Sequence, residues 1–206
     1  MPSPLFFSQA SGHFPTSPKN ASAALVQVLA DKARAVFEDV RFVAEIFPTD
    51  WQAAPDRLKQ LFCAHQPSLM LHFGVAREAQ SFRIETQGLN TCHMTKDSAG
   101  AMPAGLHLLT DGAPAHPVTI PTRDIVESLT RLGIAASTSG DAGGYLCNAV
   151  LYHSLVLANS AEHPCNVGFI HIPVDLSGPH LDEAAVLKGG LEIIRVCLDM
   201  LALEHG

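Results

Sequence analysis

Short apolar segments alternate with longer amphipathic ones along most of the chain. The short segments have the length and β-branched content of strands, and the longer ones carry apolar residues at helical spacing. An alternation of strands and helices predicts an α/β protein with a parallel or mixed sheet. Strands are predicted at residues 3–9, 40–47, 68–73, 81–86, 134–138 and 167–174, and helices from a cap at Asn20 or Ser22 to Arg34 and at 51–65, 121–132, 147–158 and 181–204.

Residues 90–116 break this pattern. They contain few periodic apolar positions and much Gly, Pro and Ser, and they are long for a plain connection. We expect this segment, called the excursion below, to cover the mouth of an active site or to contact a partner chain. The chain shows no internal repeat and no convincing linker, so residues 1–206 are predicted to form a single domain.

Composition narrows the possible partners. A formal net charge of -7 argues against nucleic acid or an anionic membrane surface as the main partner. The sequence has no apolar run long enough for a transmembrane helix, and its first residues do not resemble a signal peptide. The five cysteines are scattered, without a C-x-x-C pair, which favours reduced thiols and a cytoplasmic location.

The most informative stretch is residues 139–152, where a loop of small residues leads into an apolar helix. Cys147 follows Gly143 and Gly144 closely and stands at the predicted helix start. The positive end of a helix dipole favours a thiolate, and small residues let backbone N–H groups approach a ligand or an oxyanion. Cys147 is therefore a candidate nucleophile, although a small buried apolar residue would give the same local pattern.

Two further residues could complete such a site. His171 lies near the end of an aliphatic strand, and the edge where strands end is where sites gather in α/β sheets. Glu85 could orient the imidazole of His171 through a hydrogen bond. Taken alone, the histidine could be structural and the glutamate a solvated side chain. The 11 histidines show no metal-ligand spacing and the glycines no nucleotide motif, so we expect neither metal nor cofactor.

Several of these stretches together resemble one known family. Residues 142–148, Ala-Gly-Gly-Tyr-Leu-Cys-Asn, followed by Tyr152, resemble the cysteine signature of the pyroglutamyl-peptidase I (pyrrolidone-carboxylate peptidase) family. Glu85 followed by Asn90 resembles its glutamate strand, and residues 169–173 resemble its histidine strand. Residues 120–137 and 20–22 also fit. The resemblance implies a divergent member with a three-layer α/β/α sandwich and a mixed, mostly parallel sheet.

The resemblance also implies an activity, the removal of an N-terminal pyroglutamyl group from small peptides with a blocked N-terminus. Cys147 would form an acyl-enzyme, His171 would act as base and then acid, and Glu85 would orient His171. Homo-oligomers are common in such a family. The residues expected on the substrate or oxyanion side are Phe14, Gly143, Gly144 and Asn148.

Two positions depart from the family pattern. Ser11 stands where the first of two substrate-contacting aromatic residues is expected, and Ala79 stands where an arginine is expected beside the site. Arg77 and Arg83 are the nearest cations in sequence. These departures keep two alternatives open: a thiol amidase or esterase for a different small acyl or lactam group, and a catalytically inactive binding homologue.

Overall fold

The computed structural model describes residues 5–9, 21–176 and 181–204. Phe14 and Ser11 therefore lie outside the described residues. The strands are β1 (Leu5–Gln9), β2 (Val43–Phe47), β3 (Leu69–Ala76), β4 (Phe82–Glu85), β5 (Gln87–Leu89), β6 (Ala115–Pro117), β7 (Ala136–Ser139) and β8 (Asn166–Pro173). The helices are α1 (Ala21–Val36), α2 (Ala53–His65), α3 (Thr122–Arg131), α4 (Leu146–Asn159) and α5 (Glu183–Glu204).

The central sheet has the order β2-β1-β3-β8-β4-β7. Strands β2, β1, β3 and β8 run parallel to one another, whereas β4 pairs antiparallel with β8 and parallel with β7. The sheet is thus mixed and mostly parallel, as predicted. Strands β4 and β7 run against the others, so their carboxyl ends point away from the carboxyl end of β8.

Both faces of the sheet are covered by helices. Helices α1, α3 and α5 pack their apolar residues on one face, and α2 and α4 pack on the other. Strand β8 is buried along its whole length and alternates between the two sides: Ile170 and Ile172 join the first core, and Val167 and Phe169 join the second. The three-layer α/β/α sandwich is confirmed.

The main elements lie where they were predicted, within a few residues at each end. The largest differences are strand β2, which begins at Val43 instead of residue 40, strand β3, which continues to Ala76 instead of ending at Phe73, and the small antiparallel pair of β5 and β6 at the two ends of the excursion. Those two strands have three residues each and contain Gly and Pro, so their sequences lack a strand pattern. Among the described helices, none is long and apolar enough to cross a membrane.

Candidate active site

Alternation along two neighbouring strands places charged side chains on one face of the sheet. In β4, Phe82 and Ile84 point into the core beneath α3 and α5, so Arg83 and Glu85 point to the opposite face, where α4 lies. His171 of β8 stands opposite Arg83 in the antiparallel register. Glu85 and His171 therefore meet because β4 and β8 are adjacent and antiparallel.

A short hydrogen bond joins these two residues. Nδ1 of His171 lies 2.7 Å from Oε1 of Glu85, and the two residues are 4% and 0% exposed. The carboxylate accepts the hydrogen bond, so the proton on the neutral ring lies on Nδ1 and Nε2 is left for the other side of the imidazole. This is the orientation that a histidine needs to receive a proton from a nucleophile.

The thiol of Cys147 approaches the sheet at a position where only glycine leaves room for it. Gly74 of β3 pairs with His171, and a Cβ built on Gly74 would lie 3.2 Å from Sγ of Cys147 and within 2.9 Å of the ring of Phe169. Cys147 is buried, and its thiol is close enough to the imidazole of His171 to raise the pKa of that ring. Since Nδ1 faces Glu85, Nε2 is the ring nitrogen left for the thiol.

Opposing effects act on the imidazole of His171. Burial lowers its pKa, but the neighbouring thiol of Cys147 and carboxylate of Glu85 outweigh burial and raise the pKa to about 9. An imidazolium is therefore retained through neutral pH. By contrast, Cys165 and Cys197 are buried thiols without such a partner, and burial raises their pKa values.

The loop before Cys147 is shaped by its own hydrogen bonds. Gly143 has φ +83°, a conformation that favours glycine, and its N–H donates to Oδ1 of Asp141 at 2.8 Å. The N–H of Gly143 is therefore occupied, and this residue shapes the loop rather than offering a donor to an oxyanion. The first N–H groups of α4, including that of Cys147, have no partner within the helix.

The excursion packs against the same loop. The ring of His93 covers Gly144, and the N–H of His93 donates to the carbonyl of Gly144 at 2.7 Å. The hydroxyl of Tyr145 donates to the carbonyl of Lys96, and the ring of Tyr145 meets Trp51 edge-on at a centroid distance of 5.2 Å. Residues 93–96 thus pack on the loop that leads to Cys147.

Asn148 has a different position from the one expected for a substrate-binding side chain. It is fully buried, its Oδ1 accepts from the N–H of Leu89, and its Nδ2 donates to the carbonyls of Leu89 and Thr91. All three hydrogen bonds go to the backbone where the excursion begins. The Asn148 side chain therefore ties the excursion to the helix that starts with the thiol, and it has no donor left for a substrate.

We expect Asn148→Ala to lower the free energy of unfolding by about 2 kcal/mol, because it leaves backbone groups of Leu89 and Thr91 without partners. Urea denaturation of the variant and the parent measures this difference. Asn159→Ala is the matched control, since the exposed Asn159 bonds only to the ring of His116. Equal losses in the two variants would contradict the assigned role of Asn148.

Of the remaining positions singled out in the sequence, Ala79 is buried in the turn between β3 and β4. The side chain that does come near the site is Arg83, whose Nη2 lies 3.8 Å from Oε1 of Glu85. Residues two apart on a strand share a face, so the alternation of β4 could have placed Arg83 beside Glu85 from sequence alone.

A buried thiol at a helix start, beside an imidazole that is hydrogen-bonded to a carboxylate, is the arrangement found in cysteine-type hydrolases. Comparison with known proteins narrows this class. Residues 12–200 match the family model described as pyroglutamyl peptidase. The chain belongs to the pyroglutamyl peptidase family and is a cysteine-type peptidase of the pyroglutamyl-peptidase I type.

Individual relatives support the assignment. The pyrrolidone-carboxylate peptidase of Oceanobacillus iheyensis is 31% identical over 160 residues, which cover 78% of this chain and 79% of the relative. The pyrrolidone-carboxylate peptidase of Yersinia pestis (strain Pestoides F) is 31% identical over 166 residues, which cover 80% of this chain and 74% of the relative. A mutant pyrrolidone carboxyl peptidase from Pyrococcus furiosus has the same fold, with a TM-score of 0.86, 22% identity and coverage of 97% and 99%.

Proposed function

We propose that this protein hydrolyses the amide bond that follows an N-terminal pyroglutamyl residue, with Cys147 as nucleophile, His171 as base and acid, and Glu85 as the group that orients His171. We also propose that residues 1–206 act as one catalytic domain, since the described elements pack on a single sheet and the family model spans residues 12–200. The names of its relatives support this choice of substrate.

The reaction would proceed in two acyl transfers. The sulfur of Cys147 attacks the pyroglutamyl carbonyl, and the negative charge that develops on oxygen is stabilised by free N–H groups at the start of α4. His171 then gives its proton to the leaving nitrogen, and the C–N bond breaks to release the peptide. A water molecule attacks the thioester while His171 accepts its proton, and pyroglutamate leaves as the thiol is restored.

One observation carries the proposal: a buried imidazole, that of His171, is hydrogen-bonded to the carboxylate of Glu85 and has the buried thiol of Cys147 as its other neighbour. A structural cysteine needs no imidazole, and a structural histidine needs no buried carboxylate. The departures at Ser11 and Ala79 support a second candidate, a thiol amidase or esterase for another small acyl or lactam group. Recognition energy normally positions the reacting carbonyl, so altered contacts would redirect the same chemistry.

The substrate is tested with a set of fluorogenic amides that share one leaving amine and differ in the acyl group: pyroglutamyl, prolyl and N-acetylalanyl. We expect release from the pyroglutamyl amide with the highest kcat/KM. Faster release from another amide would support the second candidate. No release at all, together with a thiol of Cys147 that iodoacetamide does not modify at pH 7.5, would support an inactive binding homologue.

Two broader expectations are part of the same proposal. A thiol nucleophile and free cysteines, of which only Cys63 is exposed among the described residues, suit the reducing cytoplasm. The excursion exposes Met94, Met102 and Leu106, and we propose that it contributes to a homo-oligomer. Light scattering on the purified protein measures its oligomeric state, and a monomeric mass at micromolar concentration would contradict the proposed homo-oligomer.

A further inference from the structure

Arg83 is the cation beside the Glu85–His171 pair, and the mechanism above does not use it. Its Nη2 lies 3.8 Å from Oε1 of Glu85, the same oxygen that accepts the hydrogen bond from His171. The other carboxylate oxygen, Oε2, is buried and has no hydrogen-bond partner in the described part of the chain. Arg83 is thus a second cation, after the His171 imidazolium, within ion-pair distance of a fully buried carboxylate.

The same nitrogen also contacts the loop that leads to the nucleophile. Nη2 of Arg83 donates to Oγ of Ser139 at 2.9 Å and to the carbonyl of Asp141 at 3.2 Å. Asp141 in turn accepts the N–H of Gly143 through its carboxylate. A set of short contacts therefore runs from the carboxylate of Glu85 to the backbone four residues before Cys147.

Thr86 and Gln87, which directly follow strand β4, also bond to this loop, but they do not reach the carboxylate of Glu85. The N–H and hydroxyl of Thr86 donate to the carbonyl of Ser139, and the side-chain amide of Gln87 donates to the carbonyl of Gly140. These bonds hold the loop near the sheet whatever residue stands at 83. What Arg83 adds is a direct connection between the loop and Glu85.

We propose that Arg83 is a positioning residue of the reaction, whose guanidinium joins the carboxylate of Glu85 to the loop that carries Cys147. The role of Arg83 in turnover rests on the proposed function, whereas the contacts that join Glu85 to the loop before Cys147 do not depend on the substrate. Arg83 touches neither the reacting carbonyl nor the thiol in this arrangement, so it acts by holding Glu85 against His171 and by fixing where α4 begins.

The partial exposure of Arg83 limits what its ion pair with Glu85 contributes to stability. The side chain of Arg83 is 28% exposed, and exposed ion pairs contribute little to stability because water screens them. We therefore expect Arg83 to contribute mainly by fixing the geometry of the site, because small displacements of reacting groups lower the reaction rate by large factors. The partial exposure also leaves a path by which a small cation can enter from solvent.

The test compares Arg83→Met, Arg83→Lys and Ser139→Ala with the parent enzyme. We expect Arg83→Met to lower kcat by about 10- to 100-fold with little change in KM. Arg83→Lys keeps the charge and loses the connection, so its loss is smaller. Ser139→Ala removes one loop contact and leaves the ion pair with Glu85, for a loss below about fivefold.

Guanidinium ion distinguishes a positioning role from a general loss of structure. We expect millimolar guanidinium chloride, well below denaturing concentrations, to restore several-fold activity to Arg83→Met and to leave Ser139→Ala and the parent unchanged. The matched control is Arg57→Met, which removes an arginine–glutamate pair with Glu45 on edge strand β2. That control keeps the parent's kcat and KM.

The rate at which iodoacetamide modifies Cys147 gives a second measure that needs no substrate. We expect Arg83→Met to slow this reaction and guanidinium to restore it, even if the pyroglutamyl amide proves not to be the substrate. Turnover and alkylation within about twofold of the parent in Arg83→Met would overturn the proposal. An effect on KM alone would also overturn it, because it would mean a ligand contact. If Arg83→Met fails to fold, a folded Arg83→Lys with unchanged kcat overturns the proposal, and one with reduced kcat supports it.

Discussion

Replacing Cys147 with alanine is expected to lower kcat/KM for the preferred amide by about 10⁴-fold or more. The variant keeps the fold, because Cys147 is a small side chain at the edge of the second core and alanine occupies less space. It lacks the sulfur that forms the acyl-enzyme, and water bound at the same place is a far weaker nucleophile. Steady-state release of the fluorescent amine measures the loss.

Matched thiol variants separate the nucleophile from other cysteines. Cys63→Ala removes an exposed thiol from α2, and we expect it to keep the parent's activity. Mass spectrometry after a short exposure to iodoacetamide should find Cys147 modified in the parent and in Cys63→Ala, and should find the buried Cys197 unmodified. Residual turnover of more than about a hundredth of the parent in Cys147→Ala would remove Cys147 from the proposed role.

The second large effect is expected for Glu85→Gln, a nearly isosteric change. An amide side chain can present its nitrogen to His171 and so favour the tautomer whose proton lies on Nε2, which cannot accept a proton from Cys147. It also removes the charge that stabilises the imidazolium. We expect kcat to fall by about 10³- to 10⁴-fold, with KM changed far less.

The pH profile gives this prediction its sign. Burial lowers the pKa of His171, but the neighbouring Cys147 and Glu85 outweigh burial and raise that pKa to about 9. Loss of the carboxylate lowers that pKa, so the imidazolium is lost at lower pH and the alkaline limb of kcat/KM moves down in Glu85→Gln. Activity measured between pH 6 and 10, with unchanged circular dichroism, tests this. An alkaline limb that stays in place would contradict the assigned role of Glu85.

The sequence predicted the fold well, because strands and helices depend on local patterns, and it singled out three residues that the structure brings close together. Alternation gave the strands, helical spacing gave the helices, and small residues before Cys147 marked the loop. The direction of the strands was not predicted: β7, which leads to Cys147, runs against β8, which carries His171, because β4 lies between them and pairs antiparallel with β8 and parallel with β7. Sequence periodicity contains no information on strand direction, so it could not reveal this reversal.

The roles of neighbouring residues were harder to predict. Asn148 follows the nucleophile in sequence, but one helical residue turns the side chain by about 100°, toward Leu89 and away from the site. Alternation along β4 alone predicts that Arg83 shares a face with Glu85. The contacts of Arg83 with Ser139 and Asp141, however, join residues more than fifty positions apart. Such long-range hydrogen bonds depend on tertiary packing, which a single sequence does not display.

The contact between Glu85 and His171 also depends on strand register and on the order of synthesis. A shift of β4 by one residue would turn Glu85 toward the opposite core and place Ile84 beside the imidazole. Glu85 and His171 are 86 positions apart, and their strands join only when most of the chain has been synthesised. A chain synthesised only as far as α4 therefore carries Cys147 and Glu85 without the histidine that lies between them in the site.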